Sequence, residues 1–215
     1  VIENCQPNPV AADLDGDGLK ELLFASYDGM MHAYTLDKTE HDNWPYEVYK
    51  GAADVYRFAS EPVVADLDND GYAEVLFGSW TRKGSGLGGK LHIINHQGTM
   101  VHEVDLPDAK ASPSWNGSLA APTLADIDGD KELEIILNTA YSGLVAYDLP
   151  GTENARILSG TGRAGRIWRK PELTDLQKMQ KALITLKILA GHEDVSEYPD
   201  PDGNGRSALA DVLEY

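Results

Sequence analysis

Cysteine is nearly absent: Cys5 is the only one in 215 residues, so neither an internal disulfide nor a thiolate zinc site can form. Cys5 itself reads as a small buried thiol. Basic residues are scarce as well, 18 Lys and Arg against 35 Asp and Glu. The resulting net charge of −17 argues against nucleic acid, whose backbone needs a basic face. No apolar run reaches the roughly 18 residues of a membrane-spanning helix. Nucleophile-elbow and zinc signatures are missing too. The chain begins at Val1 without a signal peptide, which predicts a processed product or a fragment. Few disulfides do not exclude secretion, because bound metal can stabilise a fold in their place.

What is present is a repeat. Residues 9–26, 62–79 and 122–139 align without gaps, and their first aspartates are Asp13, Asp66 and Asp126. These lie 53 and then 60 residues apart. A period near 50 residues suits a four-stranded propeller blade and is too long for a β-helix coil. Each copy runs from a short apolar segment through an acidic loop into a β-rich run such as Val75-Leu76-Phe77. In the second copy a glycine-rich loop, Gly84 to Gly89, leads to a strand Leu91 to Asn95, a turn at His96 to Gly98 and a strand Met100 to Asp105. The third copy continues through Leu144 to Asp148 and Ala155 to Leu158 as its last strands. The expected architecture is mainly β: four-stranded antiparallel meanders over 1–160, then a linker over 161–172 and a small helical module over 173–215. Helical periodicity in the last part comes from Leu176, Met179, Leu183, Leu186 and Ala190, capped by Thr174 with Gln177 and stopped at Gly191.

The acidic loops carry the chemistry. Positions 1, 3, 5 and 9 are Asp13, Asp15, Asp17 and Glu21; Asp66, Asp68, Asp70 and Glu74; Asp126, Asp128, Asp130 and Glu134. Alternating carboxylates let a loop curl round a hard cation such as Ca²⁺, which takes six to eight oxygens at about 2.3–2.6 Å. Backbone carbonyls of Leu19, Tyr72 and Glu132 at position 7 are expected to complete the sets. Position 12 of the first loop is Phe24, so these are strand–loop–strand sites and not EF-hands. A fourth loop does follow the EF-hand rule. Asp200, Asp202, Asn204 and Asp211 stand at positions 1, 3, 5 and 12, with the Arg206 carbonyl at position 7. Four Ca²⁺ ions would cancel eight units of the −17 charge. In the third loop Lys131 replaces Gly18 and Gly71 at the tight turn, which makes that turn harder to form.

The DxDGDGxxE pattern between strands resembles the FG-GAP or VCBS repeat, the blade unit of integrin-like propellers. Phe77-Gly78 and Ala121-Pro122 resemble the parts that give the motif its name, and the first copy has neither. The resemblance implies Ca²⁺ on the loop acids, and three blades short of a closed ring imply further blades or other chains on the open edges. The tail from Leu173, with Leu186 to Gly191, resembles a dockerin carrying one loop instead of two. A cohesin-like or intramolecular partner is implied for it. Together they imply a non-catalytic, calcium-binding segment, extracellular or at a bacterial cell surface, acting in binding, adhesion or scaffolding on a protein or polysaccharide. The alternatives are the C-terminal part of a secreted polysaccharide lyase or hydrolase, and a subunit of a surface layer or filament.

Other signals read as structure. Two GxGxxG matches, at Gly84 and at Gly160, open no helix of a βαβ unit and are loops. His92 and His96 diverge on a strand and its turn and read as surface histidines. Trp80, Trp115 and Tyr141 read as packing between blades before sugar stacking. Arg163, Arg166 and Arg169 read as partners of the acidic surface or as the finish of the last blade, before a site for an anionic partner. Asn116-Gly117-Ser118 is a glycosylation sequon.

Overall fold

Short runs of β-branched and aliphatic residues, each cut by a glycine or Asx turn, build an all-antiparallel structure. The computed structural model describes residues 7–51, 57–82, 84–108 and 116–159. The expected linker and dockerin-like module, with Asp200, Asp202, Asn204, Arg206 and Asp211, lie outside the described residues, as do Cys5, Trp115 and the three arginines from 163 to 169. Among the described residues every regular element is a strand.

The first sheet is a meander of β1 (Val10–Ala12), β2 (Glu21–Ala25), β3 (Met30–Tyr34) and β4 (Tyr46–Glu47). In the second, β6 (Val63–Asp66), β7 (Glu74–Thr81), β8 (Lys90–Ile94) and β9 (Met100–Asp105) repeat that order. The far end of β7 also pairs with β5 (Arg57–Ala59). The third sheet holds only β10 (Thr123–Ala125), β11 (Leu133–Thr139) and β12 (Gly143–Leu149). Its expected fourth strand is elsewhere: β13 (Arg156–Ser159) leaves β12 and pairs antiparallel with β6, at the edge of the second sheet. The four-stranded meander therefore holds for two repeats and fails for the third.

The second sheet is apolar on both faces, which explains the unbroken Val75-Leu76-Phe77 run. Val64, Val75, Phe77 and Ile94 pack with Leu23, Met31, Trp44 and Val48 of the first repeat. From the opposite face, Val63, Leu76, Leu91 and Ile93 pack with Leu124, Ile135 and Leu137 of the third. Alternation along β7 sends successive side chains to opposite sides, so one strand joins two cores. By contrast β9 is exposed along its whole length.

Phe77 is wholly buried and stacks on His92 at 4.9 Å. Phe77→Ala should cost about 3–5 kcal/mol by cavity formation. Leu144→Ala, at an exposed position of β12, should stay within about 0.5 kcal/mol. Urea unfolding of both variants checks this, and equal costs would mean that β7 does not lie between two cores.

Candidate metal centres

Each acidic loop connects the first two strands of its repeat, and the sheet register sets its span. Ala12 faces Glu21, Ala65 faces Glu74 and Ala125 faces Glu134, so the position-9 glutamate always stands opposite the residue before the first aspartate. That glutamate reaches back across the loop. Its Oε2 accepts the position-2 N–H: Leu14 to Glu21 at 2.9 Å, Leu67 to Glu74 at 3.0 Å, Ile127 to Glu134 at 2.6 Å.

The remaining acids form a nest of Asx turns. Asp13 takes the N–H groups of Gly16 and Gly18 on its two oxygens, at 2.8 and 3.0 Å. Asp66 does the same with Asp70 and Gly71, and Asp126 with Gly129 and Lys131. Asp15, Asp68 and Asp128 each accept the N–H two residues on, from Asp17, Asp70 and Asp130. Asp17, Asp70 and Asp130 accept in turn from Leu19, Tyr72 and Glu132. The curl needs left-handed backbone at position 6, where φ is 89° at Gly18, 99° at Gly71 and 81° at Lys131. A residue with a Cβ is disfavoured there by roughly 1–2 kcal/mol, so the third loop folds against its own sequence.

Through this curl the carboxylates converge. Oxygens of Asp13, Asp15 and Asp17 lie within 4.8 Å of one another, as do those of Asp66, Asp68 and Asp70. In the third loop the converging set is Asp126, Asp128 and Glu134. All three clusters can hold a metal ion, and an all-oxygen donor set fits a hard divalent cation, not a soft one. The first two loops also touch. Ala73 N–H donates to the Leu14 carbonyl at 2.8 Å, and a Cβ on Gly16 would come within 2.9 Å of the Gly71 oxygen.

Burial distinguishes the loops. Asp66 is wholly buried, whereas Asp13 is half-buried and Asp126 exposed. Desolvation pushes the Glu74 carboxyl up to about 7; the Leu67 N–H opposes this, and the charges of Asp68, Asp70 and Asp66 add to it. Desolvation also raises Glu21, against the Leu14 N–H.

Residues 13–77, spanning the first loop through the second, match the family model described as an FG-GAP-like repeat. No curated protein matches the chain. The described part is thus a β-rich repeat structure with an FG-GAP-like segment and three carboxylate clusters.

Three arrangements escaped the sequence reading. His92 is not at the surface: it is wholly buried, and desolvation, with the Lys90 charge adding, pushes its pKa down to about 3. Ser79 Oγ lies 2.8 Å from His92 Nε2, and Glu103 Oε2 lies 3.5 Å from His92 Nδ1. The order imitates a hydrolase triad, but Ser79 is wholly buried and also bonds Tyr49, so the network is a polar core. Asn116 of the sequon is buried, with Nδ2 donating to the Pro107 carbonyl and Ser142, which leaves no amide for a glycan. Most consequential is Arg156, whose guanidinium grips Asp66 from the third repeat. Trp80 stacks at 4.6 Å on Phe58, its cross-strand partner within the second sheet, and Tyr141 is exposed instead of packed between repeats as expected.

Glu74 yields a pH prediction for metal-free protein. Its folded pKa of about 7 lies above the ordinary 4.5, so the folded state retains a proton that the unfolded state releases. The stability it contributes is full below the lower value and lost as pH rises through the upper one. In chelator, wild type should lose melting temperature between about pH 5 and about pH 8, and Glu74→Gln should flatten that loss. Parallel curves for the two proteins would show that Glu74 is not the responsible group.

Proposed function

We propose that the three loops bind Ca²⁺ and that the chain is an extracellular, calcium-stabilised segment of a surface or secreted protein, acting in binding, adhesion or scaffolding. One observation carries the reading: carboxylate oxygens converge to within 4.8 Å three times, in the corresponding loop of three successive repeats, from three aspartates in the first two and from Asp126, Asp128 and Glu134 in the third. Clustered carboxylates with further backbone groups suit the larger, more loosely ordered shell of Ca²⁺ better than the strict octahedron of Mg²⁺. The FG-GAP-like match over 13–77 supports the same assignment.

In this reading the ion is structural. Each loop ties the first hairpin of its repeat, so metal affinity adds to folding free energy. Modules of this kind bind at about 10⁻⁴–10⁻³ M, which suits calcium levels outside the cell and would leave them empty in cytosol. The partner is a protein or polysaccharide at the cell surface, and the EF-hand-like loop from Asp200 to Asp211 adds a fourth ion to the tail.

Calorimetric titration of the chelator-stripped chain should give at least three Ca²⁺ per chain with little Mg²⁺ competition. A site filled at ten times its Kd adds about 1.4 kcal/mol. Three such sites should raise the melting temperature by about 10 °C in a domain of this size. Uptake of no more than one ion, with a melting temperature indifferent to EDTA, would leave the loops as solvated acidic surface.

A further inference from the structure

The three loops share one design, yet among the described residues only the second has a guanidinium bonded to its first aspartate. Strand β13 pairs with β6 so that Arg156 faces Asp66, the position-1 acid of the second loop. From there Arg156 donates through Nε at 3.1 Å and Nη2 at 2.6 Å to the same oxygen, Asp66 Oδ2. That oxygen also accepts the Gly71 N–H at 3.2 Å, while Oδ1 accepts only Asp70. Asp13 and Asp126 bear backbone N–H groups on both oxygens and, among the described residues, no guanidinium.

The difference has a physical reason. A wholly buried carboxylate is costly unless a positive charge compensates it. Asp66 has that charge from Arg156 before any metal arrives. A divalent ion entering the loop meets an oxygen already crowded with donors and a positive charge beside it, and the two cations repel.

We propose that Arg156 is the resident counter-cation of the second loop: it holds Asp66 in the metal-free protein, lowers that loop's calcium affinity below that of the first, and couples it to the docking of β13. The proposal rests on the calcium reading above. Because coupling is reciprocal, calcium in the second loop weakens the Arg156 grip on Asp66 by the factor that Arg156 weakens calcium. Occupancy of the second loop is then sensed by the last strand of the third repeat. Arg156 acts through Asp66 and is a positioning residue.

The test is calcium titration of the full chain by calorimetry for wild type, Arg156→Gln and each protein with Asp68→Asn added. Arg156→Gln should lower the melting temperature in chelator yet tighten one calcium equivalent about tenfold, within the usual 5–150-fold range of such couplings. The tightening should vanish when Asp68→Asn disables the second loop. Arg156→Met, which keeps the side-chain stem, reads the same shift if the glutamine variant does not fold. A merely structural Arg156 would lower stability and leave calcium affinity unchanged, and that result, or a weaker affinity, overturns the proposal. Should wild type take up no calcium at all, the calcium reading itself falls; normal uptake with no shift in either variant removes only the role of Arg156.

Discussion

Mutual repulsion of carboxylates is the constraint on which the rest of this structure depends. Two like charges about 4 Å apart repel by about 4 kcal/mol at an effective dielectric of 20. Here one oxygen from each of three acids is held within 4.8 Å of the others in each of three loops. The chain offsets part of this internally. Backbone N–H groups turn inward on nearly every aspartate, and a glutamate closes each loop from the facing strand. These bonds shape the loop around a point where positive charge is still needed, which is why a cation fits it.

The sheets hold the loops in that shape. Both ends of each loop are strand residues, and an antiparallel register has no freedom to widen the loop without breaking ladder bonds. The second sheet is the firmest base, since its two faces are buried against the first and third repeats. Its first aspartate is accordingly the most buried of the three, its glutamate is pushed up to about 7, and among the described residues it alone receives an arginine. Depth of burial and the need for a compensating cation rise together. Ser79 and His92 of the same sheet form a polar core with Tyr46 and Tyr49 of the first repeat, its members bonded to one another and so tolerated inside.

The positions of the three loops, their register and the strand from Met100 to Asp105 were legible directly, because each rests on contacts a few residues long. The Leu14 bond to Glu21 spans seven residues, and the Asx turns span two to five. The difficult turn at Lys131 was legible too, since only one residue type suits that backbone. His92 misled because alternation says which side of a strand a residue takes, not whether another sheet covers that side. The burial of Asn116 was not legible, because a sequon is a local pattern while its burial depends on Pro107 and Ser142.

The sequence alone determined the repeat, the oxygen-rich loops and the mainly β architecture, since period, turn residues and charge spacing are properties of short segments. Tertiary structure decided where β13 pairs, which faces of β7 find a core and which loop acquires a counter-cation. The bond between Arg156 and Asp66 joins residues 90 apart in the chain. No local propensity specifies such a partner. It is chosen by which buried carboxylate the finished packing leaves in need of charge.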